Sequence, residues 1–139
     1  MEIEIISLTH NIQKMIIAEK RKNNGKLTGE IELDLQTEDP FIRAVDRLIE
    51  NNTAHIILAM THVTFLDSAG MWAIFEAYKK TSEKEGSFVT INLLSDIERI
   101  FKITRVSKYI HITKSEADAI KFILEKKWKS SSPAHHSPK

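Results

Sequence analysis

The chain has 139 residues, enough for one compact domain that buries most of the surface its unfolded form exposes. It lacks cysteine, which excludes a disulfide framework and a thiolate metal site, and its 20 Lys and Arg against 19 Asp and Glu leave no general field for nucleic acid. The longest apolar run, residues 56–60, falls far short of the ~20 residues a bilayer-spanning helix needs. Met1-Glu2-Ile3-Glu4 also puts acid where a secretory leader carries base, so the expected location is cytoplasmic, without direct membrane insertion.

Residues 2–8 alternate charged and apolar side chains and predict a first strand at a sheet edge. Asn23-Asn24-Gly25, between the strand-like runs 14–22 and 26–35, predicts a hairpin, although residues 12–22 also fit a helix. Asp39 as N-cap and Pro40 as first helical residue predict the start of a helix. Phe41, Ala44, Val45, Leu48 and Ile49 give its buried stripe, and Asn51-Asn52 its end.

Residues 55–60, His-Ile-Ile-Leu-Ala-Met, read as a strand buried on both faces of a partly parallel sheet, followed by a loop over residues 61–66. A helix follows, in which Met71, Ile74, Phe75 and Tyr78 recur at i, i+3, i+4 and i+7 and predict the face on the sheet. Trp72, Glu76, Lys79 and Glu83 lie on the opposite stripe, which Ser68 shares because it stands four residues before Trp72. Residues 87–94 read as another strand. Ser95 and Glu98 spell a capping box ahead of Ile97, Ile100 and Phe101. A last helix starts near Thr113 or Ser115 and runs through Ile120, Ile123 and Leu124 to Trp128, with Lys126, Lys127 and Lys129 complementing its dipole.

These elements predict an α/β fold: a single domain over residues 1–128, with a small mixed sheet and about four α-helices packed on it by right-handed crossovers. Residues 1–35 supply the first strand and the hairpin that makes the sheet mixed, and residues 36–128 the core. Residues 129–139 are expected to be a disordered tail, in which His135-His136 is solvated rather than a metal site. No internal repeat is visible.

The candidate site is Asp67-Ser68-Ala69-Gly70, which puts a hydroxyl at a strand-to-helix junction on the same face as Trp72. Capping gives a plainer account of the same spelling, since Asp and Ser favour N-caps and Gly is tolerated in a first turn. Trp72 could equally fold back onto a neighbouring loop. Nucleophilic chemistry fits poorly: a nucleophile elbow needs Gly two residues before the serine, and Leu66 stands there. The nearest histidine, His62, has no obvious carboxylate to orient it. Gly25, Gly29, Gly70 and Gly86 are too scattered for a phosphate-binding loop, and no His-Glu-x-x-His spacing exists. The chain therefore reads as a non-enzyme without metal or cofactor. As a substrate Ser68 makes better sense, because a phosphoryl group there adds roughly −1.5 to −2 charge at a helix N-terminus that tolerates it.

Residues 55–86, an apolar strand, a loop, "VTFLDSAG", an amphipathic helix and a closing glycine, resemble the STAS domain of sulfate transporters and anti-sigma factor antagonists. The similarity extends through "LTGEIELDL" upstream and "SFVTINLL", "SDIERIFKIT" and "HITKSEADAI" downstream, and covers residues 27–120. The resemblance implies that Ser68 is a phosphorylation site, Asp67 its preceding motif acid and Gly70 the small residue that permits close approach. Ala69 stands where a second serine is common, and Ala59 where the family often has an acidic or amide residue. The implied function is anti-sigma factor antagonism by partner switching. The unphosphorylated form binds an anti-sigma factor that is also a serine kinase, phosphorylation of Ser68 releases it, and a PP2C-type phosphatase restores the complex. ATP would belong to the kinase, and Trp72, Glu76 and His62 to the partner-binding surface. Other STAS domains are non-phosphorylated scaffold subunits of transport or signalling complexes, and the resemblance admits that role as well; Ser68 would then be only a cap and Trp72 an anchor.

Overall fold

In the computed structural model, which describes residues 1–131, the chain begins with five strands: β1 (Glu2–Ser7), β2 (Ile12–Ala18), β3 (Lys20–Arg21), β4 (Leu27–Thr28) and β5 (Ile31–Leu33). There follow α1 (Glu38–Glu50), β6 (His55–Ala59), β7 (Val63–Leu66), α2 (Ser68–Glu83), β8 (Ser87–Ile91) and α3 (Ser95–Ile103). A 3₁₀ turn (Val106–Lys108), β9 (His111–Thr113) and α4 (Glu116–Ser131) complete it. The main sheet has the order β1-β2-β6-β8-β9, with β1 antiparallel at one edge and the other strands mutually parallel. The expected mixed sheet with four helices is therefore present, and the first strand does lie at an edge.

The source of the mixing differs from expectation. The antiparallel pair is β1 with β2, joined through His10 and Asn11 at positive φ (56° and 58°), where the Ile12 N–H donates to the Thr9 carbonyl at 3.1 Å. The Asn23-Asn24-Gly25 hairpin also forms, but it joins only β3 and β4, a ladder of two residues a side. Burial explains the parting of the longer runs. Residues 12–18 form a strand and not a helix because alternate side chains serve two cores: Met15 and Ile17 pack on one sheet face, Ile12 and Ile16 on the other. Residues 31–33 pair in parallel with β7, so the expected loop over residues 61–66 contains a strand.

The sheet divides the interior. Ile56, Leu58 and Phe88 face the larger cluster, which also holds Phe41, Val45, Ile74, Ile97 and Phe101 of the first three helices; Ile57, Ala59, Val89 and Ile91 face a smaller one closed by Ala119 and Ile123 of α4. β6 is buried along its whole length, as its apolar run predicts. Ala59 is thus a packing residue beneath α4. Ion pairs tie the layers at the rim, Lys80 to Asp46 between α2 and α1 at 2.9 Å and Lys14 to Glu116 at 2.6 Å.

Helix starts are shifted from the expected caps. α1 begins at Glu38 with Thr37 as N-cap, so Asp39 and Pro40 lie inside the first turn, where Pro is tolerated because those N–H groups have no intrahelical partner. Asp34 organises the approach, its carboxylate accepting from the Gln36 and Thr37 N–H groups at 2.9 and 3.2 Å. At α3 Ser95 is already helical and Leu94 is the N-cap, without a side-chain cap bond, so the capping box does not form. At α4 the Ser115 hydroxyl accepts from the Asp118 N–H at 3.1 Å, and the helix continues through residues 129–131 of the expected tail. The rest of that tail, with His135-His136, lies outside the described residues.

The buried stripe of α2 is also rotated. Gly70, Ala73, Ile74, Ala77 and Thr81 are buried, whereas Met71, Phe75 and Tyr78 are half-buried along its flank. Small side chains win the inner face because α2 lies close to its neighbours. At Gly70 the approach is closest: a Cβ there would collide with the Leu33 carbonyl of β5 and stand 2.9 Å from Leu66 Cδ1. Replacing a mid-helix Gly by Ala ordinarily gains about 0.5–1 kcal/mol. Gly70→Ala is expected to reverse that sign and lose about 1–3 kcal/mol through overpacking, read as a lowered urea midpoint. A midpoint at or above that of the parent chain would show that the Leu33–Gly70 approach is loose.

Candidate functional site

The junction between β7 and α2 is built by Asp67 and Leu33. Asp67 adopts the extended conformation of an N-cap, and its carboxylate accepts from the Gly70 N–H at 2.9 Å. Its own N–H donates to the Leu33 carbonyl at 3.3 Å, and its carbonyl accepts the first helical bond from Met71 at 2.9 Å. Capping therefore accounts for Asp67 and close packing for Gly70. Neither accounts for Ser68, the first helical residue, which is exposed and makes no side-chain hydrogen bond to any described residue. Ala69 beside it is half-buried.

Ser68 borders a groove of about 540 Å³ whose α2 side consists of Met71, Trp72 and Phe75. The opposite wall comes from the connection between α3 and β9: Thr104, Arg105, Val106, Lys108 and Tyr109. Trp72 is 53% exposed and Tyr109 58%, large apolar surfaces left open to solvent. Tyr109 is nevertheless fixed, packing edge-on against Phe75 with ring centroids 5.8 Å apart and lying 6.2 Å from Tyr78. Such ring pairs contribute about 0.5–1.5 kcal/mol each and hold the connection against α2. Two cations and no carboxylate or imidazole line the groove. It can bind an apolar and negatively charged surface, but it holds no base for proton transfer.

Ser68 and Trp72 are thus brought together as their spacing predicts. Glu76 and His62 stand outside the groove lining. Glu76 is half-buried and pairs with Lys79 at 3.6 Å, while His62 precedes β7 and offers its backbone carbonyl to the Ile31 N–H at 2.8 Å. The residues that sequence reasoning missed are those of the opposite wall, Thr104 to Tyr109. Only a run of polar and basic side chains around an isolated Tyr109 hinted at them. Among the described residues no group of three or more His, Asp or Glu is placed to hold a metal, and no helix is long and apolar enough to cross a membrane.

Comparison with known proteins bears on what such a site belongs to. An anti-sigma F factor antagonist of Paenibacillus polymyxa is 27% identical over 96 residues, 68% of this chain and 80% of that protein. The fold is similar to an anti-sigma factor antagonist from Mycobacterium paratuberculosis, with a TM-score of 0.68 at 16% identity over 88% of this chain and 94% of the other. It is also similar to the Bacillus cell-fate determinant SpoIIAA in its phosphorylated form, with a TM-score of 0.62 at 14% identity, covering 88% and 99%. At such identities the structures speak for the fold alone. The family model of the STAS domain, however, matches residues 15–119, most of the chain and all of the α2 junction, and the chain belongs to the STAS domain family.

Proposed function

We propose that this chain is an anti-sigma factor antagonist whose binding is switched by phosphorylation of Ser68. The observation that carries the reading is an exposed serine hydroxyl without a hydrogen-bond partner among the described residues, standing beside Trp72 on the border of a groove. A hydroxyl retained only for capping would be engaged with the helix it caps; here Asp67 does that work. The relative named as an anti-sigma F factor antagonist supports the partner class, and a fold neighbour that exists in a phosphorylated form supports the modification.

In this reading the unphosphorylated chain docks an anti-sigma factor over Ser68 and Trp72. That partner is also a serine kinase and brings the ATP. The γ-phosphoryl group passes to Ser68 Oγ as its bond to ADP breaks, and the hydroxyl proton leaves to a base on the kinase. A dianion at a packed contact must then be desolvated, which costs several kcal/mol unless it is paired. A loss of about 3 kcal/mol weakens binding about a hundredfold, enough for release. A PP2C-type phosphatase would hydrolyse the phosphoserine and restore the complex. Asp67 keeps Ser68 at the same place through the cycle, and His62 and Glu76 would contribute to the partner-binding surface outside the groove lining.

Incubation with a serine-kinase anti-sigma factor and ATP is expected to place one phosphate on Ser68 by mass spectrometry. Label elsewhere, or none under conditions that modify a control antagonist, would favour the scaffold role. Ser68→Asp should weaken partner binding at least tenfold in calorimetry while Ser68→Ala binds like the parent; undiminished capture by Ser68→Asp would also favour a scaffold. Trp72→Ala should cost at least about 2 kcal/mol of binding, as for a central aromatic anchor, and should lower the urea midpoint less than truncation of a core residue such as Ile74, because the indole is half in water. Equal affinity for that variant would move the interface off this groove.

A further inference from the structure

Arg105 and Lys108 face the same groove as Ser68, yet neither takes part in an ion pair with any described residue. This sets them apart from Lys14, Lys80 and Lys102, each held by a carboxylate. Their placement is specified by the backbone. Arg105 has φ 65° and ψ 14°, the left-handed conformation that a side chain other than Gly, Asn or Asp rarely adopts, and it opens the 3₁₀ turn of Val106–Lys108. The Lys108 N–H donates to the Arg105 carbonyl at 3.1 Å. Both side chains line the one groove, so the guanidinium and the ammonium lie on the same side of the connection. The ring contacts of Tyr109 with Phe75 and Tyr78 then fix that connection against α2.

We infer that Arg105 and Lys108 form an acceptor, within the same chain, for the phosphoryl group on Ser68. The inference rests on the phosphorylation reading above and assigns its regulation. A phosphoserine carries roughly −1.5 to −2 charge at pH 7, which matches two cations, and Arg meets phosphate oxygens in a bidentate fork. No carboxylate in the groove lining competes for them. The two long side chains are exposed and pair with no carboxylate among the described residues, so drawing them across the groove breaks no ion pair there. Phosphorylation therefore does more than add charge to the partner-binding surface. It pulls the basic wall over Met71 and Trp72, closes the groove in cis, and neutralises the cations that an acidic partner residue would otherwise meet.

The test installs phosphoserine at position 68 during synthesis, so it requires no kinase. The second ionisation of the phosphoryl group is followed by ³¹P NMR in the parent chain and in Arg105→Gln/Lys108→Gln. Asp67 and the α2 N-terminus act on the phosphate equally in both, so their influence cancels. The parent is expected to titrate about half a unit or more below the variant, because nearby cations favour the dianion. Amide exchange over residues 104–109 should also slow on phosphorylation in the parent and not in the variant. Both substituted side chains are exposed, so the unphosphorylated variant should keep the parent's urea midpoint. Equal titration midpoints in the two phosphorylated chains would overturn the acceptor. Because phosphate is supplied synthetically, that result leaves the kinase reading standing, and failure of a kinase to label Ser68 leaves this measurement standing.

Discussion

The contact between the Leu33 carbonyl and Gly70 is the constraint on which the site depends. A helix N-terminus can be placed against a strand backbone this closely only where no Cβ intervenes, and the single glycine of α2 sits there. The same carbonyl accepts the Asp67 N–H, so β5 fixes both the last residue before the helix and the first turn within it. Ser68 lies between these two anchored positions and is itself held by neither. Its exposure is a product of what its neighbours bury.

That arrangement explains why so small a ladder as β5 with β7 matters. It stands apart from the main sheet, but it carries the Leu33 carbonyl to the helix start and aligns Leu33 with Leu66 across the register. The main sheet does the complementary work. Its central strands bury alternate side chains in two clusters, each large aliphatic side chain contributing about 1.5–3 kcal/mol, and give α2 a rigid floor. With small side chains inward, α2 turns its bulk sideways, and Met71, Trp72 and Phe75 become the lining of a groove instead of core.

The second wall gives the groove its chemical character. Aromatic packing between α2 and Tyr109 holds a short connection with a left-handed residue at its start, and that connection presents positive charge to an otherwise apolar surface. An exposed hydroxyl, an open indole and two cations without a carboxylate partner among the described residues share one groove, a surface suited to being covered.

Much of this was legible in the residues themselves. The apolar run of β6 reads as a strand buried on both faces, the Asn51-Asn52 stop follows from a helix end needing a left-handed residue, met by Asn52 at φ 65°, and the spacing of Ser68 and Trp72 is helical geometry. These are local signals, set by period and by individual residue preferences. The positions of the helix caps, the partner chosen by each strand and the inner face of α2 were decided elsewhere. They depend on which surfaces compete for the same space: residues 12–18 follow burial on two faces, Gly70 of α2 lies against the Leu33 backbone, and Arg105 lines the same groove as Ser68 across a long gap in sequence. Sequence by itself determined the α/β alternation and the exposed serine beside an indole. Only the tertiary structure decided what faces that serine, because proximity between distant segments is fixed by packing and by no local pattern.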